Sequence, residues 1–306
     1  MAQFTTLLRP WASVALPLAA LIVLGVQLQA QAAFPGENGR LAFAVPSGGY
    51  DIVTVKRNGK DVRNLTEGAR GASRDPSYSA DGKRIVFVSS RDGGPDIYLM
   101  DANGGSVTRV TAQFDDAANP GFTPDGDSIV FEADGKVRSV DVDGSNMNAL
   151  VKGGQPALSP DGKTLAFVRE SHGDEDIFVA SPSGAHAENL TRDFRTKKKD
   201  VGFLAPSFSP DGRDIVFNSN LSRRFPDRPF QDDLYAMTAN GKRLERLTRS
   251  KQDEFGATFS PDGNEIAFVR DTERGARKDG IYVMSSGVER VLRVSRPGTP
   301  TWQPLP

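Results

Sequence analysis

One repeated turn constrains this chain more than any other feature of the sequence. The pattern Ser/Thr-Pro/Ala-Asp-Gly, followed by a run of Ile, Leu, Val, Ala and Phe, recurs with its aspartates at Asp81, Asp125, Asp161, Asp211 and Asp262. Successive aspartates are 44, 36, 50 and 51 residues apart, close to the roughly 40–50 residues of a propeller blade. Proline presets φ, aspartate accepts from nearby backbone N–H groups and glycine tolerates a left-handed conformation, so each copy predicts a tight hairpin.

Two more strands follow each hairpin. The third is typified by Asp96-Ile-Tyr-Leu-Met, and after a Gly-containing turn the fourth ends in a segment such as Arg109-Val-Thr111. In two copies this ending is Asn64-Leu-Thr66 or Asn189-Leu-Thr191, which matches a glycosylation acceptor only incidentally. Four short strands per unit with no helical periodicity between units predict a β-propeller.

Both ends of the chain are needed to count the blades. Asn38-Gly39 and the run Leu41–Phe43 match a turn and second strand that lack a first strand, whereas Thr299–Pro304 match a first strand with nothing after it. Together they complete one blade, and five intact copies bring the total to six. The sequence therefore predicts an all-β, six-bladed β-propeller with four antiparallel strands per blade, in which one blade is closed by the N- and C-terminal segments. Such closure leaves neither terminal sheet edge open.

The N-terminus is predicted to be a secretory signal peptide. Arg9 precedes an apolar run from Trp11 to Val26, and Ala30-Gln31-Ala32 supplies a cleavage site. We expect residues 1–32 to be removed and residues 33–306 to form the propeller. The alternative is an uncleaved membrane anchor, but the apolar run is shorter than the ~20 residues that span a bilayer. We therefore expect export, to the periplasm, the cell envelope or the medium, and no stable membrane span after cleavage.

The motifs resemble those of a known family. The Ser-Pro-Asp-Gly-x-x-Ile-x-Phe core, the Asp-Ile-Tyr-x-Met strand and the ending Pro300-x-Trp302-x-Pro304 look like the repeats of the TolB-like six-bladed β-propeller family. The resemblance covers residues 34–306 and implies a propeller of the cell envelope. The family's N-terminal α/β domain has no counterpart before these repeats, so we expect a stand-alone propeller.

Little in the sequence points to catalysis. The absence of cysteine excludes thiolate nucleophiles and cysteine-ligated zinc, and the net charge of -1 does not favour nucleic acid as a partner. His172 and His186 are the only histidines and lie in loop-like contexts, so we expect both to be ordinary surface residues. No Gly-x-Ser-x-Gly elbow, His-Glu-x-x-His motif or phosphate-binding Gly-Lys loop is present. We predict no catalytic residues, no metal site and no cofactor.

Loop lengths favour one face of the disc as the binding surface. In an antiparallel blade the first-to-second and third-to-fourth turns share one face, here named the tight-turn face. The other connections share the opposite face, named the long-loop face because it holds the insertions 192–204, 219–232 and 270–279. The predicted binding residues in these insertions are all basic: Lys197, Lys198, Lys199, Arg223, Arg224 and Arg228.

The entrance of the central channel on the long-loop face, named the channel mouth, is the second candidate. The residues predicted to open the six first strands are Asp75, Asn119, Gln155, Ala205, Ala257 and Thr299. Of these we select Asp75, Asn119 and Gln155 as binding residues. One acid in six favours binding over metal catalysis, because a divalent ion usually requires several oxygen anions.

These observations predict a monomeric, non-catalytic scaffold that binds an envelope or extracellular protein, or an anionic polymer. The alternative is a hydrolase or lyase that uses carboxylates at the channel mouth to act on a saccharide or peptide.

Overall fold

The computed structural model describes residues 31–194, 201–222, 232–271, 279–286, 288–294 and 296–306. Within these ranges the chain is built from β-strands, and a short 3-10 helix spans Arg192–Phe194. The strands form six four-stranded sheets, and a further two-residue strand joins one of them.

Each sheet is one blade, whose strands follow one another from the channel outward. The strands of the first three blades are β25 (Thr301–Leu305), β2 (Glu37–Pro46), β3 (Tyr50–Lys56) and β4 (Arg63–Asn64); β5 (Ser73–Tyr78), β6 (Arg84–Ser89), β7 (Asp96–Asp101) and β8 (Thr108–Arg109); β9 (Ala118–Phe122), β10 (Ser128–Ala133), β11 (Lys136–Asp141) and β12 (Asn148–Lys152). Those of the last three blades are β13 (Gly154–Leu158), β14 (Leu165–Ser171), β15 (Asp174–Ala180) and β16 (Glu188–Asn189); β17 (Phe203–Phe208), β18 (Asp214–Ser219), β19 (Asp233–Thr238) and β20 (Glu245–Arg246); β21 (Asp253–Phe259), β22 (Ile266–Asp271), β23 (Gly280–Ser285) and β24 (Val288–Arg293).

The predicted fold class is confirmed, including the blade shared between the two ends of the chain. Strand β25 pairs antiparallel with β2, in a register that places Trp302 opposite Leu41 and Leu305 opposite Glu37. Trp302 is 4% exposed and packs in one apolar cluster with Leu41 of its own blade and Phe255 of the sixth. The C-terminal strand therefore joins the first blade to the sixth through a buried aromatic side chain.

The repeated turn is held by its aspartate, as the sequence predicts. In the second blade Lys83 N donates to Asp81 Oδ1 at 3.1 Å, and Ser79 Oγ donates to the same oxygen at 2.6 Å. Ser79 N also donates to Arg84 O at 3.0 Å, which closes the hairpin. The same hydroxyl–carboxylate pair recurs at Thr123/Asp125, Ser159/Asp161, Ser209/Asp211 and Ser260/Asp262. Each pair satisfies local N–H groups that a short loop would otherwise leave without partners.

A second repeated contact fixes the outer strands. Thr111 Oγ1 accepts from Ile97 N at 3.0 Å and donates to Asp96 Oδ1 at 3.1 Å, which ties the end of the fourth strand to the start of the third. In the fourth blade the equivalent threonine, Thr191, is fully buried, and Asn189 Nδ2 donates to Asp176 Oδ2 at 2.8 Å. This Asn-Leu-Thr segment therefore has a structural role at the blade edge, where the sequence placed it.

The segment before the first blade enters the channel, which the sequence did not indicate. Strand β1 (Gln31–Ala32) pairs parallel with β17, with Gln31 opposite Ser207 and Ala32 opposite Phe208. Ala33 N continues this pairing with a hydrogen bond to Phe208 O at 3.3 Å. Because β17 runs from the long-loop face to the tight-turn face, β1 runs in the same direction along the channel wall.

Candidate binding site at the channel mouth

In each blade from the second to the sixth, the innermost strand is interrupted near the channel mouth. The register of each shifts by a β-bulge, and the residues at these bulges have φ angles of 50–61° (Asp75, Asn119, Gln155, Ala205 and Gly256). Bulges re-aim a side chain and are enriched next to functional sites. Left-handed backbone costs about 1–2 kcal/mol for most residues other than glycine and less for Asp and Asn, so Gln155 and Ala205 carry most of the strain in this ring.

The structure places the three selected mouth residues in this ring. In the sixth blade the left-handed residue is Gly256, one position before the Ala257 that the repeat alignment predicted. Gly256 lies six residues before Asp262, just as Asp75 lies six residues before Asp81, so the prediction of Ala257 was one residue off in the blade that lacks the proline. Thr299 occupies the corresponding position of the first blade, and its buried hydroxyl has no hydrogen-bond partner.

Hydrogen bonds link the mouth residues of four consecutive blades. The backbone N–H of Asn119 donates to the Asp75 carboxylate, and Asn119 Nδ2 donates to Glu132 Oε2 at 2.9 Å. Gln155 N donates to the same Glu132 oxygen at 3.0 Å, and Ala205 N donates to Gln155 Oε1 at 2.7 Å. The mouth is therefore a connected polar wall rather than a set of independent side chains.

Glu132 is a mouth residue that was not among those predicted from the sequence. It lies on β10, and a Cβ on the neighbouring Gly154 would collide with its carboxylate, so a side chain there would displace it. A comparison of the repeats would have pointed to this residue. The residue after the repeated second-strand phenylalanine is apolar in four blades, whereas it is Glu132 in the third and Asn218 in the fifth.

Asp75 is the electrostatically unusual member of the ring. Its side chain is almost fully buried, and this burial raises the pKa of the carboxyl to about 6. Arg74, whose Nε lies 4.0 Å from Asp75 Oδ2, and the Asn119 N–H oppose the rise, whereas the charge of Glu132 adds to it. A buried carboxyl with a perturbed pKa at a channel entrance is a candidate functional group.

A second acidic position lies on the same face, between the fifth and sixth blades. Asn218 Nδ2 donates to Asp232 Oδ2 at 2.6 Å, and Asp232 N donates to Asp253 Oδ1 at 2.8 Å. Burial raises the pKa of Asp232, although the Asn218 hydrogen bond opposes it. The described part of the long-loop face is therefore rich in carboxylates near the channel.

The basic binding residues predicted for the long insertions lie outside the described residues, so they stay predictions: Lys197, Lys198, Lys199, Arg223, Arg224 and Arg228. His172 and His186 are both exposed, as predicted, and His172 Nδ1 lies 3.0 Å from the hydroxyl of its neighbour Ser171. Within the described ranges no three His, Cys, Asp or Glu side chains come together in a way that could hold a metal ion.

Six four-stranded blades around a channel with a polar mouth define a six-bladed β-propeller. Two segments of the chain, residues 26–155 and 148–304, match the TolB beta propeller domain, and the chain belongs to that family. None of the helices among the described residues has the length and apolar character needed to cross a bilayer.

Individual relatives are similar over most of this chain. It is 26% identical over 236 residues to the Tol-Pal system protein TolB of Francisella tularensis subsp. mediasiatica (strain FSC147), covering 74% of this chain and 52% of that protein. The chain thus spans about half the length of the curated relatives it matches. Among solved structures, TolB from Acinetobacter baumannii aligns with a TM-score of 0.70 at 19% identity, covering 94% of this chain and 70% of that one. A putative TolB from Agrobacterium tumefaciens aligns with a TM-score of 0.65 at 20% identity, covering 84% and 89%.

Proposed function

We propose that this chain is an exported, non-catalytic binding propeller that acts as a monomer in the cell envelope or outside the cell. Its binding surface is the channel mouth together with the surrounding long-loop face. The family relationship supports this proposal, since the relatives that match include proteins named as components of a Tol-Pal system. The predicted signal peptide supports the location.

The connected polar wall at the mouth is the observation that carries the proposal. Asp75, Asn119, Gln155 and Ala205 all hold left-handed backbone, and Glu132 joins two of them by hydrogen bonds. The first blade, by contrast, has no left-handed residue at Thr299. Strain and a buried carboxyl that persist at a channel entrance are typical of sites arranged for a ligand.

Two kinds of charge on this face suggest the chemistry of the partner. The mouth presents carboxylates and amide oxygens, including an Asn119 Oδ1 that is buried without a partner. The insertions around it contribute the six predicted cations. A partner that complements both regions inserts an N–H donor or a single cation into the mouth and places acidic groups against the insertions. An envelope protein with an acidic surface, or an anionic polymer, can supply these acidic groups.

The test is an affinity capture from the native envelope fraction, with the propeller as bait. One variant reverses five cations of the insertions to glutamate: Lys197, Lys198, Lys199, Arg223 and Arg224. A matched control reverses five exposed cations of the tight-turn face: Lys83, Lys163, Arg213, Lys242 and Arg243. We expect the first variant to lose the captured partner, with a lower association rate and an unchanged melting temperature, because exposed charges mainly steer encounter.

Capture should also weaken as salt rises, since exposed charges are screened over about 8–10 Å at physiological ionic strength. If the control variant loses the partner and the first variant retains it, the binding surface lies on the tight-turn face and the proposal is wrong.

The mouth also keeps a second function open, a hydrolase or lyase acting on a saccharide or peptide. The observation in its favour is the proximity of the Asp75 and Glu132 carboxyl groups. The pKa of Asp75 is raised to about 6, so this residue could act as a general acid near neutral pH. Turnover of a saccharide or peptide panel that is abolished by both Asp75→Asn and Glu132→Gln would establish it. Capture of a stable partner without turnover supports the binding function instead.

A further inference from the structure

A basic cleft lies on the tight-turn face, at the opposite end of the ring from the channel mouth. It has a volume of about 580 Å³ and sits where the sixth blade meets the first. The lining side chains include four cations, Arg40, Lys56, Arg57 and Arg290, and no carboxylate. This volume is within the roughly 300–1,000 Å³ of small-molecule sites. We name it the seam cleft.

Two of the four cations are held in place by one buried acid. Arg57 donates from Nε and Nη2 to the two oxygens of Glu265 at 2.8 and 2.7 Å, and Arg290 Nη2 donates to Glu265 Oε2 at 3.1 Å. Arg290 also donates to the backbone oxygen of Arg57. Glu265 itself is only 4% exposed. The two guanidinium groups, from different blades, are therefore fixed before any ligand arrives, which lowers the entropic cost of binding.

The charges around the cleft do not cancel. Arg40, Lys56 and Arg63 all pair with Asp61, and hydrogen bonds from Arg40 and Arg63 lower the pKa of that carboxyl to about 2. Three cations thus share Asp61 and two share Glu265, with Asp262 close enough to Arg57 to influence it. Five cations against three acids leave a net positive charge. The side chains of Lys56 and Arg57 are 58% and 53% exposed, so both can reach a ligand.

Asn38, which lines the cleft, is held in place by the sixth blade. Asn38 Oδ1 accepts from Asp262 N at 3.1 Å, and the Asn38 side chain also hydrogen-bonds to the Asp262 carboxylate. This part of the cleft wall is therefore fixed across the seam between the two blades.

We propose that the seam cleft binds a small ligand rich in oxoanion groups, either phosphates or carboxylates. Guanidinium groups recognise both oxoanions through paired N–H donors, and an ammonium group adds a point charge. The five N–H donors of Arg57 are only partly used by Glu265, so the side chain can contact a ligand without releasing that acid. This site is independent of the proposed function at the channel mouth, because it lies on the other face.

The experiment is isothermal titration of the full chain with two probes, sodium tripolyphosphate and sodium citrate, at low ionic strength. We expect saturable 1:1 binding of at least one probe that weakens as sodium chloride is added, and the stronger probe distinguishes phosphate from carboxylate. The double variant Lys56→Gln/Arg57→Gln should bind at least about tenfold more weakly, because it removes two of the four lining charges. A matched control, Lys163→Gln/Arg213→Gln, removes two exposed cations of the same face outside the cleft and should bind like the parent.

One single variant gives an independent test with little risk to the fold. Asn58→Asp adds a negative charge at the edge of the cleft, and its carboxylate can still accept from Lys60 N as Asn58 Oδ1 does at 3.1 Å. It should weaken binding. The absence of saturable binding for both probes, or equal losses in the cleft and control variants, would overturn the proposal.

Discussion

Replacement of Asp75 by asparagine should stabilise the propeller at neutral pH. Burial raises the pKa of this carboxyl from 3.8 to about 6, against the opposing effects of Arg74 and the Asn119 N–H. Between about pH 4 and pH 6 the folded chain therefore binds more protons at Asp75 than the unfolded chain does. The free energy of unfolding then falls as pH rises through this window and stays lower above it.

The size of the effect follows from the shift. A pKa raised by about two units lowers the free energy of unfolding by about 3 kcal/mol at pH 7.5, at about 1.4 kcal/mol per unit. About one-third of this destabilisation is already present at pH 4.5. Asparagine cannot ionise, still accepts a hydrogen bond from the Asn119 N–H, and tolerates left-handed backbone well. The free energy of unfolding of the variant should therefore exceed that of the parent by up to about 3 kcal/mol at pH 7.5 and by distinctly less at pH 4.5.

Urea unfolding of the parent and the Asp75→Asn variant at both pH values measures this difference. Asp81→Asn is the control with the opposite sign, because hydrogen bonding from Ser79 lowers the pKa of Asp81. It should lose a similar amount of stability at pH 7.5 and pH 4.5, because the contribution of a carboxyl with a lowered pKa fades only below its ordinary pKa of 3.8. A gain for Asp75→Asn that is equal at pH 4.5 and 7.5, or no gain at all, would refute the electrostatic account of the channel mouth.

Three further predictions concern the ring, the histidines and the N-terminus. Deletion of residues 298–306 should lower the free energy of unfolding by several kcal/mol, because loss of a buried Trp such as Trp302 alone costs about 3–5 kcal/mol. Cooperative melting of the truncated chain at the parent temperature would contradict closure of the ring by the C-terminal strand. His172→Ala and His186→Ala should each change the unfolding free energy by no more than about 0.5 kcal/mol and leave any function intact, as for exposed side chains; an activity abolished by either would assign the chain to the enzymes. Mass spectrometry of the exported protein should find Ala33 at its N-terminus, and an intact N-terminus would indicate an anchor.

The blade architecture was predictable because its determinants are local and repeated. The Ser79–Asp81 pair, for example, closes its hairpin within six residues, and the same pair recurs in four other blades. Closure by Trp302 was predictable for the same reason, since the two terminal fragments each match part of a repeat that is complete elsewhere. The alignment failed by one residue only at Gly256, where the repeat lacks its proline.

What the sequence did not predict depends on contacts between distant segments or on the local path of the backbone. Strand β1 has two residues and no hydrophobic period, so nothing in residues 31–32 indicates pairing with β17. The seam cleft joins Arg57 to Glu265 and Arg290, which are more than 200 residues away along the chain. The link between Asn119 and Glu132 lies within one blade, yet only the bulge that turns Asn119 toward the mouth makes it possible.

Site-specific photo-crosslinking in the native envelope shows whether a partner binds at the channel mouth. A photoreactive amino acid replaces Gln155 at the mouth in one variant, and Lys163 or Arg213 on the tight-turn face in two others. Gln155 is partly exposed, and Lys163 and Arg213 are exposed. We expect an adduct of discrete mass from position 155 and none from positions 163 and 213. Adducts from the tight-turn positions with none from the mouth would contradict it.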